Sequence, residues 1–206
     1  MKNVLLIGDS IRMMYQSRVA QLLGDGVRVY APDENCRFTK FALWGMFSWM
    51  ENWGCPKMDV IHWNTGVWDL HRCTADGKIF TPLDEYLEYN RRLAIQMESY
   101  CDRLIWATIT PGGRQLDEKK KTNYSLKEGD ARVYLCDYTD VWNNDVKRYN
   151  EACSKMLAER GIKINDLYSV LASDPDRLIS EDGIHASPEG VEALAQKVAS
   201  EIRSLL

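Results

Sequence analysis

The sequence predicts an α/β protein in which a mainly parallel five-stranded sheet is covered by helices on both faces. Short apolar runs alternate along the chain with segments of helical period. The runs are continuous instead of alternating with polar residues, as expected for parallel strands that are buried on both faces. The chain has 206 residues, 45% of them hydrophobic, and we therefore expect residues 1–206 to form a single domain.

Five apolar runs mark the strands. In chain order they are Val4–Ile7, Val27–Tyr30, Met58–Trp63, Leu104–Ile109 and Lys163–Asn165. No internal repeat or linker separates them. The region 111–140 contains Gly112-Gly113 and a run of three lysines, and it predicts a long loop of the kind that is usually functional or mobile.

Three segments between or after the strands have the spacing of an amphipathic helix. The first follows the first strand and is marked by Met14, Val19, Leu22 and Leu23. The second precedes the fourth strand and is marked by Tyr86, Tyr89, Leu93, Met97 and Tyr100. The third ends the chain and is marked by Val191, Leu194, Ala195, Val198, Ile202 and Leu205. Ser187 and Pro188 are a typical cap and first-turn pair for this last helix.

Charge and hydropathy argue against several classes of partner. The net charge of −4 and the pI of about 5.5 are unlike those of a nucleic-acid binder. The first apolar run stops at Gly8-Asp9, which indicates a strand instead of a signal peptide. The longest later run, Phe41–Met50, is far shorter than the roughly 20 residues of a membrane span. We therefore expect a soluble, cytoplasmic protein with no membrane partner; its oligomeric state stays open.

The six cysteines include no C-x-x-C pair, and without a signal peptide we expect them to be free buried thiols. His71-x-Cys73 is the one close His/Cys pair, and a single pair is a weak indication of a metal site. We therefore expect neither a metal nor a cofactor.

Three polar clusters occupy positions where ligands bind to parallel sheets, outside the carboxyl ends of the strands. Gly8-Asp9-Ser10 follows the first strand, 64–69 follows the third, and Asp182–His185 precedes the last helix. Ser10 is either a plain helix cap or a nucleophile at a helix N-terminus, where negative charge is favoured. His185 is the best candidate base, because Asp182 lies three residues earlier; the alternative is a local Asp–His hydrogen bond. His62 lies within an apolar strand, which is typical of a core residue.

These residues resemble the conserved blocks of the SGNH/GDSL hydrolases. The segment 4–10, VLLIGDS, is similar to the first block, and Asp182-Gly183-Ile184-His185 matches the D-x-x-H of the last block. Residues 66–69, GVWD, resemble the G-x-N-D third block, and residues 34–38 fall where the second block is expected. The resemblance spans nearly the whole chain. It implies a flavodoxin-like three-layer fold and ester hydrolysis through an acyl-enzyme on Ser10, with Asp182 and His185 completing the triad.

The resemblance also implies three donors for the oxyanion, and the chain departs from the family at two of them. The N–H of Ser10 is the first donor. Cys36 stands where the second-block glycine belongs, and its backbone N–H can still donate. Trp68 stands where the third-block asparagine belongs, and its indole N–H can replace the amide. Asn64 is the other candidate for this third donor.

The seven tryptophans point to a substrate with ring faces, because aromatic side chains commonly stack on sugars. The alternative is core packing, which we assign to Trp63 and Trp106. Trp44, Trp68 and Trp142 are candidate cleft residues. Arg12 points into the cleft or pairs with an acid. The residues that we expect to contact the substrate are Asp9, Arg12, Asn35, Trp44, Asp69 and Trp142.

The sequence thus predicts a metal-independent serine esterase that acts on a small acyl ester, and we expect this ester to be an acetyl group on a carbohydrate. A thioesterase or lysophospholipase of the same superfamily is the first alternative, since Phe41–Met50 offers residues for an apolar groove. A carbohydrate-binding homologue without turnover is the second alternative, because the third-block asparagine is missing.

Overall fold

Five parallel strands form one sheet in the order β2-β1-β3-β4-β5 in the computed structural model, which describes residues 1–73, 76–116 and 139–206. The strands are β1 (Lys2–Gly8), β2 (Val27–Tyr30), β3 (Val60–Asn64), β4 (Leu104–Ala107) and β5 (Lys163–Asn165). Every neighbouring pair is parallel, as the continuous apolar runs predicted. The α/β fold class is therefore confirmed.

Seven helices are formed by the described residues. They are α1 (Ser10–Leu23), α2 (Thr39–Asn52), α3 (Leu83–Glu98), α4 (Thr139–Ala158), α5 (Leu167–Ala172), α6 (Pro175–Leu178) and α7 (Pro188–Arg203). Helix α1 packs against α7, while α3 packs between α2 and α4. These two groups of helices lie on opposite faces of the sheet. The adjacent β3 residues Trp63 and Asn64 point to opposite faces, and Asn64 hydrogen-bonds to Tyr15 of α1 whereas Trp63 hydrogen-bonds to Asn90 of α3. The helices thus cover both faces and make three layers.

The chain order places the candidate site. After β1 the chain forms β2 on one side, and it then crosses to form β3 on the other side of β1. The connections that leave β1 and β3 therefore diverge at their carboxyl ends and open a crevice there. Ser10 follows β1 directly, so the helix that it begins starts at this crevice.

The predicted strand bounds hold for β2 and β5. They differ for β1, which spans Lys2–Gly8 instead of Val4–Ile7, and for β3 and β4. The predicted fourth strand ran to Ile109, but β4 ends at Ala107. The Asn150 side chain explains this end, because its amide binds both the N–H and the carbonyl of Ile109, at 2.7 and 2.9 Å. A strand partner cannot use these groups as well. Instead of Met58–Trp63, β3 spans Val60–Asn64, because the Met58 N–H donates to the carbonyl of Tyr100 beyond α3.

The last helix begins as predicted. Ser187 caps α7 by accepting the N–H of Gly190 at 3.1 Å, and Pro188 occupies the first turn. In α1 the predicted face is wrong at Met14, which is exposed; the buried residues are Ile11, Arg12, Tyr15 and Val19. Helix α4 begins at Thr139, inside the predicted loop 111–140. The lysine run and most of that loop lie outside the described residues.

The core contains Trp63, Trp106 and His62, as predicted. Three of the free cysteines are buried, namely Cys36, Cys101 and Cys153. The expectation of burial is wrong for Cys55 and Cys73, which are exposed, and Cys136 lies outside the described residues. None of the helices in the described ranges is long and apolar enough to cross a membrane.

Candidate active site

The turn after β1 positions Ser10 at the start of α1. Asp9 caps this helix, and its Oδ1 accepts the N–H of Ile11 at 3.0 Å. Gly8 is required by close packing, because a Cβ at this position would lie 2.4 Å from Asn64 Oδ1 and 2.7 Å from the Asn64 carbonyl. The Gly-Asp-Ser sequence therefore makes a tight strand-to-helix turn. At this turn, no described residue accepts a hydrogen bond from the backbone N–H of Ser10.

The loop between α6 and α7 carries His185. Ile179 and Ala186 form an antiparallel bridge, and the N–H of Ser180 donates to the His185 carbonyl at 2.8 Å. Gly183 turns the loop with a φ of 78°, a conformation that glycine adopts without strain. The backbone hydrogen bonds between residues 179–180 and residues 185–186 close the loop around this turn, and they therefore set the position of His185.

Ser10, His185 and Asp182 form one hydrogen-bonded chain. The Ser10 Oγ lies 2.8 Å from His185 Nε2, and His185 Nδ1 lies 2.5 Å from Asp182 Oδ2. A carboxylate beside Nδ1 favours the tautomer that is protonated there, which leaves the lone pair of Nε2 for the serine hydroxyl. The three residues come from opposite ends of the chain and meet at the crevice.

Asp182 is held as a carboxylate by several donors. Partial burial raises its pKa, but hydrogen bonds from the His185 ring and from the backbone N–H groups of His185 and Ile184 lower it more, so its pKa lies well below the usual value. Ser180 adds a further hydrogen bond to Oδ1 at 2.9 Å. The sequence reasoning missed Ser180; its only indication was a serine two residues before the acid.

Cys36 does not offer the backbone donor that the sequence predicted. Its N–H donates to the carbonyl of Gly8 at 3.2 Å and is therefore occupied. The next N–H, that of Arg37, donates to Asn35 Oδ1 at 2.7 Å. The prediction that the Cys36 N–H contacts the oxyanion is therefore wrong. The side-chain oxygen of Asn35 stabilises the turn of its own loop.

Arg12 is fully buried and holds the loop that follows β2. Its guanidinium donates to the carbonyls of Pro32 at 2.8 Å and Glu34 at 2.7 Å, and to that of Gly8 at 3.3 Å. It also donates to the side chain of Gln16. The substrate contact predicted for Arg12 is therefore contradicted, since its donors fix the backbone around Ser10.

Asp9 and Asp69 were also predicted to contact the substrate. This prediction is wrong, because both carboxyl groups are buried. Burial raises the pKa of Asp9 to about 7 and that of Asp69 to about 6. Asp69 Oδ2 accepts the N–H of Thr39 at 2.9 Å and its hydroxyl at 3.0 Å. Asp69 thus fixes the start of α2 to the segment after β3.

An aromatic wall follows β3. Trp68 is half-buried and stacks on His71, with ring centroids 5.9 Å apart. His71 in turn contacts the edge of Trp142 at 5.8 Å. Trp142 is buried behind this wall with 3% of its surface exposed, which corrects its predicted place in the cleft. Trp68 and His71 are both partly exposed, whereas Trp142 is buried.

Asn64 and Trp44 lie in very different surroundings. The Asn64 side chain is packed under Gly8, and its Oδ1 accepts the hydroxyl of Tyr15 at 2.9 Å. Trp44 has 82% of its surface exposed and lines a groove between α2 and α3.

Among residues 1–73, 76–116 and 139–206, no group of three or more His, Cys, Asp or Glu side chains is arranged to hold a metal ion.

Comparison with known proteins supports the resemblance seen in the sequence. No protein-family model matches the chain. The GDSL esterase/lipase CPRD49 of Arabidopsis thaliana is 30% identical over 123 residues, which cover 57% of this chain and 43% of that protein. The chain thus spans less than half the length of this curated relative.

Several solved structures share the fold at low sequence identity. The lipase/acylhydrolase of Enterococcus faecalis superimposes with a TM-score of 0.71 at 16% identity, covering 99% of this chain and 96% of that chain. The acetylxylan esterase Axe2 of Geobacillus stearothermophilus gives a TM-score of 0.72 at 19% identity, covering 98% and 94%. A GDSL-like lipase of Bacteroides thetaiotaomicron gives 0.70 at 13% identity, covering 100% and 89%. The chain therefore has the fold of the SGNH/GDSL hydrolases and is related in sequence to a GDSL esterase/lipase.

Proposed function

We propose that this protein is a serine esterase that removes a small acyl group, an acetyl group on a carbohydrate, through an acyl-enzyme on Ser10. The observation that carries the proposal is the hydrogen-bonded chain from Ser10 Oγ through His185 to Asp182. A serine hydroxyl needs such a base near neutral pH, and the base needs a partner that fixes its tautomer. Two of the structurally similar proteins are acetylxylan esterases, which supports the acetyl preference.

In the proposed reaction His185 Nε2 takes the proton of Ser10 Oγ while this oxygen attacks the ester carbonyl carbon. The tetrahedral intermediate collapses when His185 returns the proton to the leaving alkoxide, which gives a free alcohol and acyl-Ser10. Water then attacks the acyl carbon, His185 takes its proton, and the acid leaves as Ser10 recovers its hydrogen. Asp182 stays ionised throughout and stabilises the imidazolium form of His185.

We assign the oxyanion to two donors. The Ser10 N–H lies in the first turn of α1, where the helix dipole favours negative charge. The indole N–H of Trp68 is the second donor, because no described residue accepts a hydrogen bond from it and its ring borders solvent. Asn64 fits this role less well, since only 2% of its surface is exposed.

The test compares Ser10→Ala and His185→Ala with Ser17→Ala, a serine on the exposed side of α1. We expect both active-site variants to lose hydrolysis of p-nitrophenyl acetate and of acetylated xylo-oligosaccharides, while Ser17→Ala retains both. Circular dichroism checks that all three variants fold. Wild-type turnover in either active-site variant would overturn the proposal.

A second candidate is hydrolysis of long acyl esters or thioesters, favoured by one observation. The groove between α2 and α3 is lined mainly by apolar side chains and has a volume of about 610 Å³. A series of p-nitrophenyl esters of increasing acyl length separates the candidates. Rising kcat/KM with chain length supports the second, and a maximum at acetate supports the first.

A further inference from the structure

The groove between α2 and α3 is lined by five aromatic residues. Its aromatic residues are Phe38, Phe41, Trp44, Phe80 and Tyr89. Phe38 contacts both Phe41, at 6.1 Å between ring centroids, and Phe80, at 5.1 Å. Large aromatic side chains that are grouped and exposed on a soluble protein mark a binding surface more often than isolated ones do.

Two of the rings that line the groove face water. Trp44 has 82% of its surface exposed and Phe80 has 48%. An acyl chain gains free energy in proportion to the area removed from water, so it needs walls around it. A sugar ring needs only one covered face, because its hydroxyl groups remain hydrogen-bonded to water. The exposure of these two rings therefore favours a sugar over an acyl chain.

The charges at the groove are positive. Lys40 and Arg92 line it, and no carboxylate does among the residues that the structure describes. The Lys40 ammonium lies 5.2 Å from the centre of the Tyr89 ring. Arg92 contacts Glu88 through Nε alone, and Glu88 is shared with Arg91, so two guanidinium groups face one carboxylate. Glu85 reaches the rim only at 3.5 Å from the Tyr89 hydroxyl.

The groove is joined to the proposed active site by a short series of contacts. The N–H of Phe80 donates to the His71 carbonyl at 2.7 Å, and His71 stacks on Trp68. Phe38 lies three residues before Phe41, at the end of the loop that Arg12 holds beside the nucleophile. Phe80 thus connects the groove to the aromatic wall formed by Trp68, His71 and Trp142.

We propose that this groove binds an acidic glycan, with sugar rings stacked on Trp44 and Phe80 and uronic acid carboxylates facing Lys40 and Arg92. This inference rests on the proposed esterase function, because the bound glycan is the chain that presents the ester to Ser10. Charge complementarity carries the preference for an acidic glycan over a neutral one.

Binding of short, unacetylated oligogalacturonides to the wild-type protein tests the proposal without turnover. Their carboxyl-reduced, neutral counterparts serve as the matched ligand. We expect the acidic ligand to bind roughly ten-fold more tightly at low salt, with the difference shrinking as salt screens the exposed charges. We expect Trp44→Ala to bind both ligands more weakly than the wild type does. The double variant Lys40→Gln with Arg92→Gln is expected to bind only the acidic ligand more weakly.

Phe47→Ala is the matched control, because Phe47 is exposed on the same helix but does not line the groove. It is expected to bind both ligands as the wild type does. Three results overturn the proposal: no binding of the acidic ligand, equal loss in Phe47→Ala and Trp44→Ala, or loss of long-chain ester turnover in Trp44→Ala. Hydrolysis of p-nitrophenyl acetate tests the esterase function separately, since this small ester does not need the groove.

Discussion

Replacing Arg12 by lysine tests whether this buried guanidinium holds the backbone around Ser10. Arg12 donates from separate nitrogens to the carbonyls of Pro32 and Glu34, and it also reaches Gly8. Lysine keeps the positive charge but has one nitrogen, which cannot occupy both guanidinium positions. At least one of these carbonyls therefore loses its donor in Arg12→Lys.

The magnitude follows from the number of lost hydrogen bonds. A hydrogen bond to a charged donor contributes about 1.5–3 kcal/mol, and a buried acceptor left unpaired costs about 1–3 kcal/mol. Loss of one or two such bonds lowers the free energy of unfolding by about 2–5 kcal/mol. In a chain of this size each kcal/mol corresponds to roughly 2–4 °C in Tm. We therefore expect the Tm to fall by about 4–20 °C, together with a fall in the proposed esterase turnover.

Differential scanning calorimetry at neutral pH measures the shift. Arg18→Lys is the matched control, since Arg18 lies on the same helix but binds Glu192 at the surface, with 41% of its side chain exposed. Exposed ion pairs of this kind contribute about 1 kcal/mol or less. If Arg12→Lys lowers the Tm no more than Arg18→Lys does, the structural role assigned to Arg12 is wrong.

Three further predictions concern the candidate site. In Asp9→Asn we expect no change in the free energy of unfolding below the ordinary carboxyl pKa of 3.8 and a gain that grows as the pH rises towards 7, because the folded-state pKa of Asp9 is raised to about 7. Urea unfolding at several pH values measures this gain, and a gain that does not depend on pH contradicts the prediction. In Trp68→Phe we expect kcat to fall roughly ten-fold or more, because the ring shape remains but the donor is lost; unchanged kcat leaves Asn64 as the remaining side-chain donor. In Asp182→Asn we expect a folded protein with kcat lower by about two to four orders of magnitude, since the amide favours the wrong tautomer of His185; a kcat within two-fold of the wild type excludes the orienting role.

The fold class could be predicted from the sequence because it depends on local patterns. Continuous apolar runs indicated buried parallel strands, and the bounds of β2 and β5 agreed with the structure. Ser187 was recognised as the cap of α7 because a cap needs only neighbouring residues. Helix α2 was not predicted as a helix, since its aromatic residues face both the core and the solvent and weaken the helical period.

Burial of polar side chains could not be predicted, because it depends on contacts between distant segments. Arg12 and Asp69 were expected to face a substrate, yet their partners are the loop after β2 and the start of α2. The same holds for Cys36, whose N–H is used by the Gly8 carbonyl. In each case the sequence indicated a residue near the site but not the direction of its donor or acceptor.

The sequence by itself determined the alternation of strands and helices. It also predicted Ser10, Asp182 and His185 as candidate site residues, because they lie in short motifs at the two ends of the chain. Only the tertiary structure decided that these ends meet, with Ser10 Oγ 2.8 Å from His185 Nε2. The physical reason is that β1 lies inside the sheet and α1 packs against α7, so the first helix starts beside the loop that precedes the last helix. Such proximity is a property of the packed sheet and helices, and no segment of the chain carries it alone.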